Sequence, residues 1–152
     1  MRFSDRLLDR LKQAGWNEGR SSFQNLHVFQ TALGDVLHST AYRVLLEFAG
    51  LDIGRRVFFE PYYATLALRS RQLLPPNFRE TLCPVALTTY WSDTTVWIDE
   101  NGRVFLLEPD ELSYLAASMD AALEILVLDG KPEPVPQELH PGHWDIENSD
   151  NL

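Results

Sequence analysis

A single cysteine, Cys83, is the whole thiol complement of the 152 residues. An internal disulfide is therefore excluded, as is a zinc site built on paired cysteines, and this usage fits a reducing compartment. Long apolar runs are missing too. No window approaches the roughly 20 apolar residues that a membrane span requires. The opening MRFSDRLLDRLKQAGW alternates charge with leucine instead of building a signal-peptide core. A soluble, cytoplasmic chain is the expectation. There is no glycine-rich phosphate loop and no recognisable pair of catalytic acids.

Positive charge is scarce, and scarce in one place. The net charge is −9 and the pI near 4.8, which argues against nucleic acid as a ligand, because affinity for phosphates rests on Lys and Arg. Residues 1 to 79 hold 11 Arg and Lys against 7 Asp and Glu, whereas residues 80 to 152 hold 2 against 15. If the second half clusters in space, its field attracts a basic partner and speeds encounter in a salt-dependent way. The plainer reading is that acidity maintains solubility.

What is present reads as one α+β domain over residues 1–130, with N-terminal helices packed on an antiparallel or mixed sheet. Ser4 caps a first helix whose stripe is Leu7, Leu8 and Leu11 and whose stop is Gly15. Phe23, Leu26, Phe29 and Leu33 space a second helix that Gly34 ends, and Ser39 precedes a third over residues 41–49. Residues 51–60 give one or two short strands before Pro61, and residues 64–74 a helix that Pro75-Pro76 closes. A meander follows over residues 85–91, 94–99 and 103–107, dense in Val, Thr, Tyr, Trp and Phe, with Asn101-Gly102 suited to a tight hairpin. Glu108-Pro109-Asp110-Glu111 interrupts the pattern, and a last helix runs from Ser118 to near Gly130. Residues 131–152 space four prolines among acids and amides, the composition of an extended, acidic tail with little to bury.

A nucleophile would need Cys83 or a serine beside an oriented histidine. Cys83 stands between Leu82 and Pro84 as a buried small hydrophobe would, His27 and His38 lie in or beside helices, and His140 and His143 lie in the tail. His140, His143, Asp145 and Glu147 form a metal-like cluster, but spacing on a flexible segment closes no coordination sphere. Asp99-Glu100 is too sparse for calcium. No catalytic residue, metal or cofactor is assigned. Binding is better represented, in aromatics set beside acids: Glu60 with Tyr62 and Tyr63, Trp91 with Asp93, and the group Glu108, Asp110 and Glu111. Tyr and Trp anchor interfaces, and acids guide a basic partner into place. Strand alternation also buries one face, so some of these aromatics belong to a sheet core.

Four segments carry a resemblance to a known family. Ala14-Gly15-Trp16-Asn17-Glu18-Gly19-Arg20 follows the first helix, Leu46-Glu47-Phe48-Ala49-Gly50-Leu51 ends the third, Pro84-Val85 enters the meander, and Ile98-Asp99-Glu100-Asn101-Gly102-Arg103-Val104-Phe105 makes its hairpin. In order and separation they resemble the SUKH superfamily, specifically its third subgroup of bacterial immunity proteins, over roughly residues 5 to 130. The resemblance implies a cytoplasmic protein encoded beside a polymorphic toxin, commonly a nuclease or deaminase, which it blocks by direct binding. Glu60, Tyr62, Tyr63, Trp91, Asp93, Glu108, Asp110 and Glu111 are then the candidate toxin-binding residues. An adaptor of the same fold with no toxin partner is the alternative, and a small hydrolase using Cys83 or a tail histidine is a third. Without the family, Gly15 suits a helix C-cap, Trp16 closes the core beneath it, and Arg20 pairs with a carboxylate or carbonyl.

Overall fold

The computed structural model describes residues 2–109 and 111–139. Ser4 opens helix α1 (Asp5–Gln13) from an extended backbone and accepts the Leu7 N–H at 3.2 Å. Leu7 and Leu11 are buried along one face, and Gly15, at φ +105°, turns the chain out of the helix. Helix α2 (Phe23–Leu33) ends at Gly34, as its spacing predicts. Helix α3 (Ser39–Phe48) is capped by His38, not by the expected Ser39. The His38 Nδ1 accepts the Ala41 N–H at 3.2 Å while Nε2 lies 3.1 Å from the Ile98 carbonyl. An imidazole has an acceptor and a donor on separate sides, so it ties helix to sheet where a serine would reach the helix alone. Leu45 and Phe48 are buried on α3, and Tyr42 and Leu46 only half-buried.

Two expectations about proline are corrected. Pro61 does not end a strand but opens helix α4 (Pro61–Leu68), which therefore begins before residue 64 and stops before residue 74, followed by a single tight turn (Arg71–Leu73). Pro76 likewise opens the short helix α5 (Pro76–Arg79). Proline's fixed φ suits the first helical position, where its missing N–H is of no consequence. Helix α6 (Met119–Leu128) starts at Ser118, whose hydroxyl accepts the Ala121 N–H at 3.1 Å, and closes on Asp129 at φ +60°.

The strands are β1 (Asp52–Ile53), β2 (Val57–Phe58), β3 (Cys83–Thr88), β4 (Thr94–Ile98), β5 (Val104–Glu108) and β6 (Glu111–Ala116), adjacent in chain order and antiparallel throughout. The meander is present, with its first strand running over Cys83–Thr88 instead of to residue 91. Strand β6 has no counterpart in the sequence expectation. Glu108 to Glu111, read as an interruption, is the turn of a hairpin, and an extra residue at Leu115 leaves both Leu115 and Ala116 buried in one core. That bulge erases the alternation by which a strand is recognised. Strand β3 carries a similar irregularity at Val85.

The sheet has a core on each face. Val57, Val96, Ile98, Val104 and Leu106 meet α1, α2, α3 and α6 in the larger. Trp97, Phe105, Leu107, Leu112 and Tyr114 meet Ala67 of α4, Leu74, Phe78 of α5 and Leu82 in the smaller. The chain beyond α6 contributes to this second face. The Glu133 N–H donates to the Leu115 carbonyl at 2.8 Å, the Glu133 carboxylate accepts the Ala117 N–H at 2.9 Å, and Leu139 is buried in the smaller core. Glu133 so occupies part of the free edge of β6, and its flanking Pro132 and Pro134 offer no further donors. Residues 140–152 lie outside the described residues. Leu139→Ala is expected to lower stability by about 2–4 kcal/mol in denaturant unfolding, because it empties a packed site. A change below about 0.5 kcal/mol would show that the contact is not held in solution.

Candidate functional site

The segment from Ala14 to Arg20 is structural. The Trp16 ring is buried edge-on against Phe3 at 5.6 Å, and its indole N–H donates to the Glu47 carboxylate at 2.9 Å. Arg20 donates to the carbonyls of Glu47 and Ala49, occupying acceptors that α3 leaves open at its end. Arg2 grips Glu47 with two bonds of 2.8 Å and Asp120 of α6 with bonds of 2.7 and 2.9 Å. Glu47 thus joins the N-terminal segment, α3 and, through Arg2, α6. Burial pushes its carboxyl up, but hydrogen bonds from Arg2 and Trp16 and the charges of Arg2 and Arg20 outweigh this and hold it below the ordinary 4.5. A carboxylate depressed on folding contributes stability that is full above its unfolded value and is lost as pH falls through the folded one. Wild type is therefore expected to exceed Glu47→Gln in stability at pH 7 and to converge with it in acid below 4.5. Equal stabilities at pH 7 would remove Glu47 from this role.

Among the described residues, the side chains an enzyme would call on are otherwise engaged or unpartnered. Cys83 is buried in β3, and burial pushes its thiol up to about 12, which keeps it protonated at neutral pH. His38 is committed to its cap, and His27 is exposed on α2. Among the described residues, no group of three or more His, Cys, Asp or Glu is placed to hold a metal ion. Asp99 is buried and fully used, accepting the N–H groups of Asn101 and Arg103 and the Arg103 guanidinium at 2.7 to 2.9 Å, which fixes the β4–β5 hairpin. No helix among the described residues is long and apolar enough to cross a membrane.

An open groove lies instead on the second face of the sheet, between α4 and strands β2 to β4. Its volume is about 450 Å³, and it is lined by Phe58, Tyr63, Leu66, Leu87, Asp93 and Thr95 among others. The register explains the floor: Phe58 is opposite Leu87, Leu87 opposite Thr95, and Thr95 opposite Leu107, one row across four strands. α5 covers the neighbouring part of this face, leaving the row at the α4 side accessible. The Thr95 hydroxyl is occupied, donating to the Leu107 carbonyl at 3.2 Å and accepting the Trp97 indole N–H at 2.8 Å.

The sequence candidates divide around this groove. Tyr63 and Asp93 line it, with the Phe58 ring 6.1 Å and the Tyr62 ring 5.5 Å from Tyr63. Tyr62 is 66% exposed. Trp91, 49% exposed, rests on Tyr90 at 5.2 Å; Tyr90 packs on the larger core and donates to the Gly130 carbonyl, so Trp91 stands apart from the tyrosines. Glu60 precedes α4 without capping it, and burial, then the charge of Asp52, push its carboxyl above the ordinary range. Glu108 and Glu111 are direct cross-strand partners. Asp110 lies outside the described residues. Because the meander is antiparallel, the β3–β4 and β5–β6 turns fall at the same end of the sheet, and strand alternation sets Asp93 on the opposite face from Glu108. Among the described residues, Glu60, Asp93, Glu108 and Glu111 form no ion pair, in contrast to Glu47, Asp99, Asp120 and Asp129. Sequence reading missed Leu66, Leu87 and Thr95 as groove residues. The spacing of Tyr63 and Leu66 was a usable signal, but the row across the sheet depends on register, which no local pattern carries.

No curated protein and no solved structure matches the chain. A family model does, over residues 3–129, a span that takes in every helix and strand described above. The chain belongs to the SUKH-3 immunity protein family, which gives it an immunity role with a protein toxin as its partner.

Proposed function

We propose that this protein neutralises a basic toxin domain, of the nuclease or deaminase kind, by covering it with the acidic end of the sheet and the groove beside it. Glu108 opposite Glu111 carries the reading. Like charges directly across a ladder oppose folding by a few tenths to about 1 kcal/mol, and neither glutamate forms an ion pair among the described residues. A cationic surface placed there relieves the repulsion, so the partner gains what the free protein lacks. Asp93 lies at the same end of the sheet, with Asp110 between the pair in sequence; Glu60 stands further along, beyond β2, and Tyr62 and Trp91 supply exposed aromatic anchors beside the half-buried Tyr63. The neighbouring reading frame supplies the test. Expressed alone it is expected to arrest growth, and co-expressed with this chain to be harmless. Arrest in both cases would overturn the assignment of that partner and of this mode of action.

A further inference from the structure

We infer that the groove between α4 and β2 to β4 receives a single long basic side chain of the partner, an arginine in preference to a lysine. The inference rests on the proposed function and adds the chemistry of the contact. Three observations converge on it. The walls are mostly apolar and aromatic, with the small hydroxyls of Ser70 and Thr89 at their margin, Leu66 and Leu87 placed to flank an aliphatic stem, and the rings of Phe58 and Tyr63 available for a planar guanidinium to stack on. Among the described lining residues Asp93 is the one charged group, it is exposed, and it makes no ion pair, so the groove offers one carboxylate and no competing cation. The Thr95 hydroxyl at the floor is already paired with Trp97 and Leu107, so the floor does not call for a second polar group. A largely apolar slot with one acid beside it discriminates against an anionic occupant by repulsion and favours a cationic over a purely aliphatic one by the added attraction to Asp93.

The test titrates the full chain with N-acetyl-arginine methylamide, its lysine and norleucine counterparts, and follows side-chain NMR signals. Saturable shifts confined to Phe58, Tyr63, Leu66 and Leu87 are expected with the arginine compound, weaker ones with lysine and none with norleucine. Asp93→Asn is expected to weaken arginine binding three- to tenfold, and Tyr63→Leu to weaken arginine more than lysine. Absence of shifts, equal response to norleucine, or indifference to Asp93→Asn would overturn the inference. Toxin co-expression separates the two proposals. Protection that survives alongside a groove indifferent to arginine sinks the slot and leaves the immunity reading. A groove that binds arginine in a protein giving no protection does the reverse.

Discussion

Glu111→Lys is expected to stabilise the free protein and weaken it as an inhibitor. Replacing a like-charge pair across β5 and β6 by an opposite-charge pair adds a few tenths to about 1 kcal/mol to the hairpin. The same change puts a cation where the account places a basic partner, reducing affinity on the order of tenfold at low salt and flattening its salt dependence. Glu108→Lys combined with Glu111→Lys restores a like-charge pair, so stability returns to near the wild-type value while affinity falls on the order of a hundredfold. Thermal unfolding and binding at two salt concentrations read both quantities. Stability and affinity moving together would show that these glutamates serve the fold and not the partner.

The second large effect lies far from the groove. Trp16→Ala is expected to cost about 3–5 kcal/mol, because it empties a buried site beside Phe3 and removes the indole donor from Glu47. Against a typical total of about 5–15 kcal/mol, that brings the protein close to unfolding at growth temperature. Trp16→Phe keeps the ring and loses the N–H, and is expected to cost about 1–2 kcal/mol. At temperatures where the variants are folded, their affinity for toxin is expected to equal wild type, which distinguishes a motif that builds the fold from one that binds. An affinity loss in the folded Trp16→Phe protein would move the interface to the N-terminal segment.

The parts of this fold that were legible in the sequence are those decided locally. Ser4 and Ser118 cap the helices their positions announce, Gly15 and Gly34 stop the helices before them, and Asp99 to Gly102 closes a hairpin. Elsewhere the local pattern is ambiguous. Proline ends one element and equally starts a helix, as Pro61 and Pro76 do, and which role it plays depends on the residues that follow. Strand β6 was hidden by the bulge at Leu115, and the burial of Leu139 by a composition that promises no core. For the site, the aromatics and acids were visible as neighbours in sequence. Their division was not: Tyr63 and Asp93 share a groove, while Trp91 leans on Tyr90 and Glu108 faces Glu111. That grouping is set by strand register and by where α4 crosses the sheet, both long-range properties.

The central claim is that the toxin sits on the acidic end of the sheet and the groove beside it, and amide hydrogen exchange of this chain with and without its toxin tests it most directly. Added protection is expected at the β3–β4 turn around Trp91 and Asp93, at the β5–β6 turn around Glu111, and at the start of α4 around Tyr62 and Tyr63. Protection confined to α1, α2 and the segment around Trp16, with those turns unchanged, would contradict it.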